Sequence, residues 1–124
     1  MGSRIGGGVV AALAAAALAV ALMAPVASAH DEIVATSPSS QGKTTQKRVA
    51  VLFSGPIRSG TLKVFNAAGA KVSKGKGGRD PRNVKRLVVS LKAGLTPGRY
   101  TARVAWVAAD GHQQSDSFGF RLVR

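Results

Sequence analysis

Apolar and polar side chains alternate with a period of two along most of the chain after residue 31. Val49, Val51 and Phe53 interleave with Arg48, Ala50 and Leu52, the signature of a strand with one buried face, and Ser54-Gly55-Pro56 stops it. Before it, Glu32 to Thr36 sets Ile33 and Ala35 against Val34, which predicts a short first strand ended by the turn cluster Ser37-Pro38-Ser39-Ser40-Gln41-Gly42. Leu62 and Val64 mark a third strand, and Asn66-Ala67-Ala68-Gly69 turns the chain into a brief fourth from Lys71 to Ser73. Leu87, Val89 and Leu91 form a fifth. Pro97-Gly98 feeds a long sixth strand with Tyr100, Ala102, Val104 and Trp106 on one face. The seventh points Phe118, Phe120 and Leu122 inward and Arg121 outward. Between the fourth and fifth, Lys74 to Arg86 is so rich in Gly, Lys and Arg that it reads as a mobile basic loop.

Seven short strands with turn signals between them and no helical period predict an all-β sandwich of Greek-key type. Tyr100, just after a Pro-Gly turn, suits the tyrosine corner of immunoglobulin-like Greek keys, in which the phenol ties back to upstream backbone. Tyr100 and Trp106 are therefore assigned to the core.

The first 29 residues carry a different pattern. Arg4 precedes an Ala-, Leu- and Val-rich run from Val9 to Met23, Pro25 breaks it, and Ala27-Ser28-Ala29 is the small-residue signature of a secretory cleavage site. Residues 1–29 are thus predicted to be a signal peptide removed before His30, and residues 30–124 one small domain, exported to the periplasm or the extracellular envelope. The domain holds no cysteine, and both methionines, Met1 and Met23, fall in the leader. Disulfides, thiolate metal sites and thioether sites for cuprous ion are excluded from it.

Of 18 basic residues only Arg4 lies in the leader, so 17 face five acids in the mature domain, a formal charge of +12. Such a domain associates weakly with anionic membrane or cell wall. With its aromatics committed to the core it offers no stacking platform, and no specific nucleic-acid partner is expected.

If successive strands run in opposite directions, the start of the first strand and the loops after the second and sixth lie at one end. That end gathers His30, Gly55 and the loop Asp110-Gly111-His112. Asp-Gly is also a strong hairpin signal in its own right. A free amino-terminal histidine, however, chelates a metal through its α-amine and Nδ1 in a six-membered ring. His112 would add a third nitrogen, and Asp110 an axial oxygen or a hydrogen bond that orients a ligand. Nitrogen and oxygen donors in tetragonal arrangement suit Cu(II). Chelation by the amine releases a proton and weakens in acid.

The Ala-His junction, Ser37-Pro38, Leu52-Phe53-Ser54-x-Pro56, Leu95-x-Pro97-Gly98-x-Tyr100, Trp106, Asp110-Gly111-His112 and Ser117-Phe118-x-Phe120 together resemble the CopC family of copper-binding, copper-resistance proteins over essentially all of residues 30–124. The resemblance implies an immunoglobulin-like or cupredoxin-like sandwich that binds one Cu(II) per chain through His30, Asp110 and His112. It also implies a CopD-type membrane copper transporter as partner. Many family members carry a glutamate where this chain has Gly55, which implies altered support of the site.

The function expected is copper sequestration or delivery by a monomer, without enzymatic activity. A metal-independent basic module adhering to anionic wall or lipid is the alternative. A copper-dependent polysaccharide oxidase is a weaker one, because the aromatics point inward. Two histidines and scattered acids supply no nucleophile and base for a hydrolase.

Overall fold

The computed structural model describes residues 31–124; the leader and His30 lie outside the described residues. The described chain forms two four-stranded sheets. One contains β1 (Ile33–Ser37), β3 (Arg48–Phe53), β6 (Asn83–Ser90) and β5 (Gly78–Asp80), in the order β1-β3-β6-β5. The other contains β2 (Lys43–Thr44), β8 (Gln113–Leu122), β7 (Gly98–Ala108) and β4 (Ile57–Asn66), in the order β2-β8-β7-β4. All pairings are antiparallel except the two-residue contact of β2 with β8. Among the described residues no helix is long and apolar enough to cross a membrane.

The alternating patterns set which face each strand buries. Val49, Val51 and Phe53 of β3 and Leu87 and Val89 of β6 meet Leu62 and Val64 of β4 and Tyr100, Ala102, Val104 and Trp106 of β7 in one core. Each fully buried Val, Leu or Phe among them contributes about 1.5–3 kcal/mol of hydrophobic stabilisation. Phe53 and Trp106 bring their rings to 4.8 Å across the two sheets, which locks β3 to β7 near the end where the Asp110 loop lies. Tyr100 is buried and its hydroxyl donates to the Thr96 carbonyl at 2.6 Å, so the tyrosine corner forms as the turn chemistry requires. Of the inward-facing aromatics of β8, Phe120 is fully enclosed and Phe118 only half-buried.

The strands number eight among the described residues, not seven, and two expectations change. Lys71 to Ser73 makes only isolated bridges, Phe65 to Lys71 and Ser73 to Leu91, so the fourth predicted strand is absent. The basic stretch Lys74 to Arg86 is not a mobile loop, because it contains β5 and the start of β6. Its order comes from polar groups. Asp80, almost wholly buried, accepts the Arg82 N–H at 2.9 Å and binds the Arg86 guanidinium through Nε at 3.0 Å and Nη2 at 2.9 Å. The Lys76 carbonyl accepts the Leu62 N–H at 2.8 Å. Apolar content alone underestimates a segment whose backbone is captured by neighbouring strands.

Candidate metal site

Ten residue pairs join β7 to β8, the longest pairing among the described residues, and they hold the loop between them on a rigid base. That loop is a tight turn: the Gly111 N–H donates to the Ala108 carbonyl at 2.9 Å, and the Ala108 N–H donates to the His112 carbonyl at 2.9 Å. Gly111 sits at φ +91°, in the left-handed region that a side chain disfavours, which is why the turn carries Asp-Gly.

Asp110 serves His112 twice. Its Oδ1 accepts the His112 backbone N–H at 3.0 Å, and its Oδ2 lies 3.0 Å from His112 Nδ1. With Nδ1 beside the carboxylate, the imidazole has a set orientation. The His112 side chain is 65 % exposed, against 26 % for Asp110, so the ring projects while its carboxylate partner is held closer to the surface of the domain.

The other segment at this end is the entrance to β1. Glu32 and Ser54 tie together doubly: Ser54 N–H donates to the Glu32 carbonyl at 2.8 Å, and Glu32 N–H donates to Ser54 Oγ at 2.9 Å. One residue earlier, Asp31 spans both sheets. Its carbonyl accepts the Trp106 indole N–H at 3.3 Å, and its Oδ2 accepts the Ala109 N–H at 3.1 Å. A Cβ at position 55 would overlap Asp31 Oδ1, so the carboxylate occupies the volume that any side chain there would need. The guanidinium of Arg58 lies beside Gly111 at the same end.

Of the three residues assigned to the site from sequence, Asp110 and His112 are brought together directly, and His30 lies outside the described residues. Among the described residues no cluster of three or more His, Cys, Asp or Glu is gathered that could hold a metal. One imidazole with a supporting carboxylate is an incomplete donor set, and further nitrogen or oxygen donors would have to join it to hold a copper ion. Sequence reasoning missed Asp31. The available signal was slight: an acid next to His30 and a glycine at position 55.

Comparison with known proteins gives the family and the fold. The family model for the CopC domain matches residues 33–123. No curated protein sequence matches the chain. Among solved structures, CopC from Methylosinus trichosporium OB3b superposes with a TM-score of 0.63 at 22% identity, covering 75% of this chain and 93% of that one. PcoC, a methionine-rich copper resistance protein from Escherichia coli, superposes with a TM-score of 0.62 at 18% identity, covering 77% of this chain and all of that one. A domain model that matches from the first strand to the last, over a sandwich shared with both structures, establishes that this chain belongs to the CopC family.

Proposed function

We propose that the chain is an exported protein that binds one Cu(II) and either sequesters it or passes it to a CopD-type membrane transporter, acting as a carrier and not as an enzyme. The ligands are the α-amine and Nδ1 of His30, freed by removal of residues 1–29, together with His112 Nε2. Asp110 holds the His112 ring from outside or adds an axial oxygen. Copper is the cargo here, and the work of the protein is to offer nitrogen donors at fixed spacing.

The observation that carries this reading is the anchoring of Asp31. Ala109, which donates to its carboxylate, begins the turn that bears Asp110 and His112. His30 is the covalent neighbour of Asp31, and consecutive Cα atoms lie about 3.8 Å apart. An amino-terminal histidine thus starts from a point already tied to the His112 loop. The scarcity of methionine supports Cu(II) over Cu(I), since only Met1 and Met23 exist and both precede the mature domain.

Titration of the form beginning at His30, followed by electron paramagnetic resonance, tests the reading. One equivalent of tightly held copper with nitrogen hyperfine structure is expected. A form with one additional residue before His30 should lose most of the affinity, as should His112→Ala. Equal binding by the extended form would overturn the amino-terminal chelate.

A further inference from the structure

The outer face of the β1-β3-β6-β5 sheet carries a second feature, lined by none of Asp31, Asp110 or His112. It is a cleft of about 710 Å³ whose floor includes Ala50 and Val88, direct register partners on β3 and β6. Their register partners on the flanking strands, Ser37 on β1 and Gly78 on β5, are short as well, so one row across the sheet is left low. Around it stand Lys47, Arg48, Arg82 and Arg86, and the one acid in its lining is Asp80.

Asp80 cannot balance these charges. Its Oδ2 is bound by the Arg86 guanidinium and its Oδ1 by the Arg82 backbone N–H, so its capacity goes into orienting Arg86 and closing the turn. Four cations against one carboxylate leave a formal surplus of three positive charges around one concavity. Stapling the β5–β6 turn accounts for the Asp80–Arg86 pair, and Arg48 also lies near enough to Asp80 to be attracted by it, but one carboxylate does not account for the gathering of Lys47, Arg48 and Arg82 around the same space, where they repel one another. A bound anion turns that repulsion into attraction.

We propose that this cleft binds a phosphate group. Guanidinium forks match phosphate oxygens in pairs, a carboxylate-braced Arg86 is pre-organised for such a bond, and a surplus of three charges suits a mono- or dianion. The volume fits a small group and not a folded partner. The ligand is either free phosphate or the phosphate of a lipid headgroup, and the site works independently of metal binding.

Amide chemical shifts of the full chain, and of the form beginning at His30, recorded with inorganic phosphate and with sodium chloride at equal ionic strength, test the proposal. Phosphate should move the amides of Lys47, Arg48, Arg82 and Arg86 and raise the melting temperature, with chloride doing neither. The pair Arg48→Ala/Arg82→Ala should weaken phosphate binding at least tenfold. Lys63→Ala/Arg121→Ala, which removes the same charge from the opposite sheet, should leave it unchanged. Retention on phosphatidylglycerol vesicles but not phosphatidylcholine, lost in the cleft pair and competed by phosphate, identifies the lipid headgroup as the source; response to free phosphate alone identifies the soluble ion. Equal shifts with chloride, shifts scattered over the surface, or equal losses in the two variant pairs would overturn the site. The shift map uses unaltered protein, so it decides the matter even where a variant does not fold.

Discussion

The carboxylate of Asp31 stands in the space where a side chain at position 55 would begin, so the glycine at 55 and the acid at 31 are two halves of one arrangement. Asp31 uses that space to reach the Ala109 N–H, and through it the leading segment is fastened to the loop that carries His112.

Gly55→Ala should therefore destabilise the domain by about 1–3 kcal/mol, the usual cost of forcing a group into filled space. Most of that cost should vanish when Asp31 is already Ala, because the obstructing carboxylate has gone. A double-mutant cycle by urea denaturation measures the coupling, expected at about 0.5–3 kcal/mol for groups in contact. Additive losses would show that the two positions act separately.

Asp110 and His112 should separate into support and ligand. Asp110→Ala removes the carboxylate from both the backbone N–H and Nδ1 of His112. Loss of such a partner to a metal-bound histidine typically costs 10- to 100-fold in affinity. His112→Ala removes the nitrogen itself and should cost more. Competition titration against a copper chelator ranks the two, and a larger loss for Asp110→Ala would make the aspartate the principal ligand.

Tyr100→Phe should weaken the fold and leave copper affinity untouched. The 2.6 Å bond to Thr96 lies at the opposite end of β7 from the Asp110 loop, and a lost hydrogen bond of this kind costs about 0.5–1.5 kcal/mol. Paired thermal melts and copper titrations of the variant check both halves of this expectation.

Acid should loosen the β5–β6 turn first. The Arg82 backbone N–H, opposed by desolvation and helped by the Arg86 and Arg48 guanidinia, holds the Asp80 carboxyl below its ordinary value of 3.8. A carboxyl lowered on folding stabilises the native state fully above its unfolded value and loses that contribution as pH falls through the folded one. Stability should thus decline below about pH 4, and Asp80→Asn should flatten that decline while lowering stability at neutral pH. Urea midpoints between pH 2 and pH 7 report the difference.

Much of this was legible in the chain. Val49-x-Val51-x-Phe53 and Tyr100-x-Ala102-x-Val104-x-Trp106 assign inward faces because a sheet with one buried side leaves a period-two record. Asp110-Gly111 announced its turn because only glycine takes φ +91° without strain. What escaped was order created by partners. β5 has three residues and no apolar pattern, and it exists because β6 pairs with it and Arg86 of β6 binds its Asp80. Asp31 escaped for the same reason: a single acid next to His30 has no local signature until the fold sets it against Gly55 and Ala109.

Trp106 is the only tryptophan in the chain, and its indole N–H ends on the carbonyl of Asp31. The domain thereby carries a fluorophore wired to the residue that follows His30. Its emission should be quenched by Cu(II) and reach a plateau at one equivalent; Asp31→Ala keeps the carbonyl but loses the carboxylate bond to the Ala109 N–H, and as the segment loosens and water reaches the ring the free protein should emit at longer wavelength. Loading with metal and docking of the leading segment can thus be followed as two separate optical signals from a single unlabelled side chain.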